Sequence, residues 1–332
     1  MPGNETSPYP EVRVSVKTIG VLFGTEDTFP WALCHEVNEL ARRRGLPVRA
    51  EPVQVGHVSQ EQAFAYDVIL DRVSHEVPFY RTFLKCAAAR GIQVLNDPFW
   101  SSADDRFFDN LVARAIGVAV PRTVLLPHKQ HPPGTADRSF RNMTLVDWDE
   151  VFRYLGFPIW LRPVRGGGGR KGLRRVHSRD ELFSAYDLTG DVEVMAQEAI
   201  EPADLYHCWV VGRRKVRILP YAPAEPPASR YAAVADRPVP DELALRLTRD
   251  SLALCEALGY DANAVELAVK DGIPYALDFL DPAPRLDLDL VGEAAFRWAV
   301  AEVAELLVER ALQPVPWSPT GSWPKALGLL PR

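Results

Sequence analysis

The chain has 332 residues, of which 47% are hydrophobic and 25% charged, and a formal net charge of −6. Such a composition suits a globular protein with an ample core divided into two or three lobes. The acidic balance argues against nucleic acid or an anionic membrane as partner. No run reaches the roughly 18 apolar residues of a membrane span, and the first ten residues lack the apolar core of a signal peptide, so a cytoplasmic location is expected.

Residues 1–11 read as a lead without regular structure. A strand is predicted over 14–23, ending at Gly24-Thr25, then an amphipathic helix over 29–43 carrying Trp31, Leu33, Val37 and Leu40 and closed by Gly45. Strands follow at 48–55 and 66–70, a helix at 77–90 stopped by Gly91, and a short strand opening at Val94 and Leu95. Strands alternating with helices imply a parallel α/β lobe, whose ligands bind beyond the strand C-termini. The loops 24–26 and 71–75 are therefore natural site loops. A helix capped by Ser102 is predicted over 102–116, a strand over 118–126, a mobile loop over 128–142, and a helix over 148–155 closed by Gly156.

Residues 157–176 read FPIWLRPVRGGGGRKGLRRV. Gly166, Gly167, Gly168 and Gly169 stand between two strand-like runs and are flanked by Arg162, Arg165, Arg170 and Lys171. A backbone without side chains can approach a ligand closely and present its N–H groups, and the surrounding cations point to an anion such as a phosphate chain. A basic surface loop is the plainer alternative. The letters G-x-G-x-x-G are present at Gly167–Gly172, but the dinucleotide fingerprint requires a helix directly after them. Here an extended run intervenes, and the next helix opens only at the capping box of Ser178 and Glu181. No G-K-[S/T] triplet makes a Walker loop, and no H-R-D or D-F-G set accompanies it. What remains is a hairpin flap: strand, glycine loop, strand.

The chain continues with a helix at 179–187, a strand at 192–197, a strand pair over 209–221 turning near Gly212, and a long amphipathic helix over 241–258. Strands at 265–269 and 275–280 are joined at Lys270-Asp271-Gly272, and a helix over 291–312 precedes a proline-rich tail. A three-residue loop at 270–272 pairs Val269 with Ile273, sets Glu266 opposite Ala276 and leaves Asp278 on the same face. Two carboxylates on an apolar hairpin repel each other unless a cation lies between them, and oxygen donors alone suit Mg²⁺ or Mn²⁺ held together with phosphates. Asp281 can reach the same place. A two-residue loop would put Glu266 and Asp278 on opposite faces; two solvent-facing acids on an edge hairpin are the plainer alternative. Cys34, Cys86, Cys208 and Cys255 are widely spaced and are expected to be free buried thiols. His177 and His207 are expected to be structural.

The order of these features resembles the ATP-grasp superfamily, which includes D-alanine–D-alanine ligase and glutathione synthetase. The resemblance covers residues 18–310 and is nearest to an uncharacterised group related to glutathione synthetase and the ribosomal-protein-S6-modifying ligases, through Asp71-Arg72-Val73-Ser74-His75 and Pro127-His128-Lys129-Gln130. It implies an α/β fold with an N-terminal parallel lobe (12–98), a central lobe bearing the glycine flap (99–198), a C-terminal lobe bearing the acidic hairpin (199–312) and a tail (313–332). The two later α+β lobes would sandwich the nucleotide. It implies ATP and Mg²⁺ (or Mn²⁺) as cofactors, small-molecule carboxylate and amine substrates, and a possible homodimer. Arg106, Arg162, the four glycines and Lys171 would hold phosphates. Gln197, Glu198, Ala199 and Ile200 resemble the hinge that reads adenine, with Glu201 or Asp204 near the ribose. Glu266, Asp278 and Asp281 match the metal-binding acids. Arg230 and Arg285 are candidates for holding the transferred phosphoryl group or the substrate carboxylate, and Arg72, His75 and Tyr80 for lining the substrate end. The family usually has lysine at the positions of Arg106 and Arg162 and asparagine at that of Asp281. The implied reaction is ADP-forming ligation of a carboxylate to an amine; a small-molecule kinase on the same fold and a nucleotide-binding protein without turnover are the alternatives. Replacing Gly167 and Gly168 with alanine is expected to weaken ATP binding, read by calorimetry, while thermal stability stays nearly intact; an equal loss of folding would make the glycines structural only.

Overall fold

A computed structural model of the chain describes residues 15–99, 105–165, 174–201, 204–316 and 322–329. The first lobe is the predicted alternation: β1 (Lys17–Leu22), α1 (Phe29–Arg44), β2 (Val48–Pro52), β3 (Val68–Asp71), α2 (Pro78–Ala89) and β4 (Gln93–Leu95). Its sheet has the order β2-β1-β3-β4, and every pair is parallel. Gly45 ends α1 in the left-handed conformation, at φ 63°, where a side chain would be strained.

The second unit runs through α3 (Arg106–Ala115), β5 (Thr123–Leu126), α4 (Trp148–Leu155), β6 (Ile159–Pro163), β7 (Arg174–Val176), α5 (Arg179–Asp187) and β8 (Val194–Glu198). Asp105, not Ser102, caps α3, its side chain accepting from the Phe108 N–H at 2.7 Å; Ser102 lies outside the described residues. Thr123–Leu126 is shorter than the strand predicted from 118, because Val118 and Val120 leave the sheet to pack in a different core. The sheet order is β5-β8-β6-β7. Leu161 and Ala196 share the core beneath α4 and α5, so alternation turns Arg162 and Gln197 to the opposite face.

The third unit contains β9 (Asp204–Val211), β10 (Lys215–Pro220), α6 (Asp241–Leu258), β11 (Ala262–Lys270), β12 (Ile273–Asp278), α7 (Leu288–Val291), α8 (Glu293–Leu312) and the short α9 (Trp323–Ala326). Its antiparallel sheet has the order β10-β9-β11-β12. One face, with Tyr206, Cys208, Val265, Leu267 and Ala276, packs on α6 and on Val112 and Ala113 of α3. The final helix predicted over 291–312 is α8, which opens after Gly292, and the short α7 precedes it. Helix α8 packs against α1, so its apolar residues share one core with the first lobe. Cys34, Cys208 and Cys255 are buried free thiols, and burial pushes Cys34 up to about 11 and the other two up to about 12. Cys86 departs from expectation and is exposed on α2.

Buried polar contacts tie the first lobe to the loop after β12. Asp287 Oδ1 accepts from the N–H groups of Asp27 and Thr28 and from Thr28 Oγ1, at 2.9–3.0 Å. Burial opposes ionisation of Asp287, but the bonds from Thr28 and Asp27 outweigh it and hold the carboxyl below its usual range. Replacing Asp287 with alanine takes the charged acceptor from the partly buried Thr28 and the exposed Asp27, and the variant is expected to lose roughly 1.5–3 kcal/mol in urea unfolding; a loss under half of that would show that the two lobes are held together elsewhere.

Candidate active site

The acidic hairpin differs from expectation in two respects that cancel. The turn has two residues, Asp271 and Gly272, with φ of 51° and 73°, and Lys270 pairs with Ile273. That left-handed pair matches the twist of the strands, as two-residue hairpins require. Alone, this turn would send Glu266 and Asp278 to opposite faces. The register then shifts between Glu266 and Leu267, so that Leu267 faces Ala276 while Glu266 faces Asp278. Leu277 is the extra residue of a β-bulge, which restores the two carboxylates to neighbouring positions.

The bulge also frees the Leu277 carbonyl from the ladder, and Arg162 of β6 takes it. Arg162 Nη1 donates to Leu277 O at 2.8 Å and to Gln197 Oε1 at 3.4 Å, and Nη2 donates to Asp278 Oδ2 at 3.1 Å. Arg106, at the first position of α3, sends Nη2 to within 3.6 Å of the same oxygen, and its backbone N–H donates to Val164 O at 3.1 Å. Both arginines are buried. Burial and the like charge of Arg106 hold the Arg162 guanidinium below its usual range, against the pull of Asp278 and Glu266. A small cavity lined by Arg106, Asp109, Asn110, Leu277 and Asp278 lies behind this contact.

His207 of β9 stands directly opposite Glu266. Its Nε2 lies 3.3 Å from Glu266 Oε2 and its Nδ1 2.9 Å from the Tyr231 hydroxyl, while the ring stacks on Tyr221 with centroids 3.8 Å apart. Burial, with Tyr221 and Asp281 nearby, pushes the Tyr231 hydroxyl well above its usual range. His207, expected to be structural, thus contacts one of the predicted acids. Its strand pairs with β11 across the whole of α6, and no local pattern signals that contact.

The remaining candidates divide. Gln197 is buried, and its Nε2 donates to Thr123 Oγ1 at 3.1 Å. Glu198 is paired with Arg122 at 2.8 Å, and that bond holds its carboxyl below the usual range. Ala199 and Ile200 are buried, and the Ala199 N–H donates to Pro158 O. Asp204 is engaged by Arg237 at 2.5 Å and Glu201 by Arg175. Arg230 lies beside the aromatic cluster, with Nη1 3.4 Å from the Tyr221 hydroxyl. Arg285 is exposed and 3.3 Å from Asp287. Arg72 is not a free substrate contact: it is buried, paired in a fork with Glu26 at 2.6 and 2.9 Å, and donates to Pro284 O. Burial opposes its charge, but Glu26 holds the guanidinium above its usual range. Tyr80 packs on the first lobe's second apolar cluster. Gly166, Gly167, Gly168, Gly169 and Lys171 lie outside the described residues. Their flanking strands do pair antiparallel, Ile159 with Val176 and Leu161 with Arg174, as a hairpin flap requires.

The carboxylates are hard oxygen donors of the kind Mg²⁺ accepts. Asp278 Oδ1 is buried with no hydrogen-bond partner among the described residues, a position a cation would satisfy. Asp278 Oδ2 is shared by two arginines, however, and among the described residues no group of three or more His, Cys, Asp or Glu is gathered closely enough to hold a metal ion. The donor chemistry fits, and seating the ion would require Asp278 to leave its arginines.

The fold is the ATP-grasp fold, as similar solved structures show over nearly the whole chain. D-alanine–D-alanine ligase from Bacillus anthracis, complexed with ATP, is 20% identical, covering 90% of this chain and 98% of its own, with a TM-score of 0.62. A RimK domain ATP-grasp protein from Sphaerobacter thermophilus is 16% identical, with coverage of 89% and 99% and a TM-score of 0.59. The ATP-grasp ligase PsnB, complexed with a phosphomimetic variant of its minimal precursor, Mg and ADP, is 13% identical, with coverage of 89% and 99% and a TM-score of 0.54. No model of a known protein family matches the sequence, and no curated protein matches it. Among the described residues no helix is long and apolar enough to cross a membrane.

Asp281 provides a test of the site's electrostatics. Burial and the neighbouring charge of Asp278 push its carboxyl up to about 6, while His207, Arg72 and His75 pull the other way. An acid whose folded value lies above its unfolded one binds more protons when folded, so it weakens folding as pH rises between the two values, here from about 4 to 6. Asp281→Asn removes that effect. In EDTA, the variant is expected to be about 1–3 kcal/mol more stable than the parent chain at pH 7.5, with the gain vanishing below about pH 4 in urea titrations. A gain independent of pH would contradict the buried-acid assignment.

Proposed function

We propose that the protein is an ATP-dependent, ADP-forming ligase that joins a small-molecule carboxylate to an amine. The observation that carries this reading is the convergence on Asp278 of two buried cations, Arg162 from the flap sheet and Arg106 from α3, beside the cross-strand carboxylate of Glu266. ATP would lie between the flap sheet and the acidic sheet. Arg162, Arg106, Lys171 and the N–H groups of Gly166, Gly167, Gly168 and Gly169 would hold its phosphates, and Gln197, Glu198, Ala199 and Ile200 would border the adenine. Glu266, Asp278 and Asp281 would hold Mg²⁺ or Mn²⁺, which supplies neutralisation of the phosphate charge. His207, fixed by Tyr231 and Tyr221, would keep the Glu266 carboxylate aimed at the site.

The substrate carboxylate would attack the γ-phosphorus, forming an acyl phosphate and releasing ADP. The amine would then attack the acyl carbon, expelling phosphate and losing a proton to leave the amide. Such chemistry rests on position and charge rather than on a strong acid or base. Arg230, at the edge of the aromatic cluster, would steady the transferred group, with Arg285 as the more exposed candidate.

Filling the site requires an exchange. Phosphate oxygens would take the guanidinium groups now shared by Asp278, and the released carboxylate would turn to the cation. Nucleotide and metal are therefore expected to bind as a pair. Calorimetry with MgATP tests the reading: Arg162→Met is expected to lower the affinity by about 10–150-fold, equivalent to one charge-assisted hydrogen bond of roughly 1.5–3 kcal/mol. Asp278→Asn is expected to abolish the Mg²⁺ dependence of ATP affinity. Absence of binding by the parent chain at millimolar MgATP would sink the proposal.

A further inference from the structure

Among the described residues, two of the acceptors that hold the Arg162 fork, Leu277 O and Asp278, belong to the acidic hairpin, and Gln197 is the one on its own sheet. Behind Gln197 the polar contacts continue. Thr123, the first residue of β5, stands opposite Gln197 across the β5–β8 ladder, and Gln197 stands opposite Trp160 of β6, diagonal to Arg162. Its Nε2 donates to Thr123 Oγ1 at 3.1 Å, and its Oε1 accepts from Arg162 Nη1 at 3.4 Å. The Thr123 hydroxyl donates to Pro121 O at 3.0 Å and accepts from Asn110 Nδ2 of α3 at 3.3 Å. Gln197, Asn110 and Arg162 are buried, and Thr123 is half-buried.

Counting donors fixes the direction of this chain. A guanidinium only donates, so the Gln197 atom facing Arg162 is the carbonyl oxygen. A threonine hydroxyl has one proton, which Pro121 takes, so the Gln197 atom facing Thr123 is the amide nitrogen. Both ends set the same orientation. Each link donates to the next, from Arg162 through Gln197 and Thr123 to the Pro121 carbonyl, and such chains polarise one another. The backbone beneath is tied on two sides: Ala119 O accepts from the Ala276 N–H of β12 at 2.8 Å, and Arg122 O from the Glu198 N–H at 2.9 Å. A change confined to the Thr123 side chain therefore acts on Gln197 and leaves the strand in place. Valine has the shape of threonine without the oxygen. With valine at 123 the buried Gln197 amide loses its acceptor, and turning to find another takes its carbonyl off Arg162.

We propose that Thr123 is a positioning residue: its hydroxyl fixes the Gln197 amide, and the amide holds the Arg162 guanidinium in the orientation in which it meets an anion. That the anion is a nucleotide phosphate rests on the ligase reading above; that Thr123 orients Arg162 does not.

The test combines crystal structures of Thr123→Val and Thr123→Ser with MgATP calorimetry on both, on Arg162→Met and on the double variant Thr123→Val/Arg162→Met. The Gln197 carbonyl is expected to leave Arg162 in Thr123→Val and to keep its contact in Thr123→Ser. Thr123→Val is expected to weaken MgATP binding by about 2–10-fold, the worth of one neutral hydrogen bond, and Thr123→Ser by less than about twofold. In the Arg162→Met background Thr123→Val is expected to cost nothing further, because its effect passes through the missing guanidinium. An unmoved Gln197 in Thr123→Val, unchanged MgATP affinity in that variant, or an equal loss in both backgrounds would overturn the positioning role. Displacement of Gln197 in Thr123→Val without any MgATP binding by the parent chain would leave that role standing and remove the ligase reading.

Discussion

The contact between Arg162 and Asp278 is the constraint on which the site depends. It joins two sheets that share no strand, and it lies between buried walls where an unmatched charge is costly. Each group is tolerated in the interior because the other is present. Arg106 adds a second cation to the same carboxylate, and the Glu266 and Asp109 carboxylates lie near the pair. Opposite charges alternate across this contact, so moving one of them uncovers another.

The same economy of charge governs the joint between the first lobe and the acidic loop. Glu26 matches Arg72, which in turn holds the Pro284 carbonyl, and Asp287 gathers donors from the start of α1. These contacts fix the stretch from Pro284 to Asp287 against the first lobe, while the Asp281 backbone is held by Asn263 and Ala264 of β11. Asp281 stands just before that anchored stretch, where burial and the neighbouring Asp278 charge raise its carboxyl.

Local order was legible in the chain. Helices α4, α5 and α6 follow their caps and periodicity to the residue, because Gly156, the Ser178 N-cap and the amphipathic run over 241–258 act within a few positions. The facing of Glu266 and Asp278 was also legible, but through a wrong intermediate. A three-residue loop and a two-residue turn followed by a bulge differ by compensating single steps, and the pattern of side chains reports only the sum. Neither Leu277 nor its neighbours carries a glycine to announce the bulge. The role of His207 and the capture of Arg72 by Glu26 were not legible, since both depend on pairs far apart in sequence that only the assembled sheets bring together.

The bulge and the arginines explain each other. A bulged strand leaves a carbonyl without its ladder donor, and at Leu277 that carbonyl is turned into the interior between two sheets. A lysine at 162 would bring a compact ammonium with a single point of charge. The guanidinium of Arg162 is a planar fork, and it reaches the Leu277 carbonyl, the Asp278 carboxylate and the Gln197 amide oxygen at once. An arginine at 162 therefore suits the local backbone: the same side chain that pairs with Asp278 also satisfies the carbonyl that the bulge exposes. One arm of the fork holds Leu277 and the other Asp278, so a single side chain keeps both the bulge and its carboxylate in place.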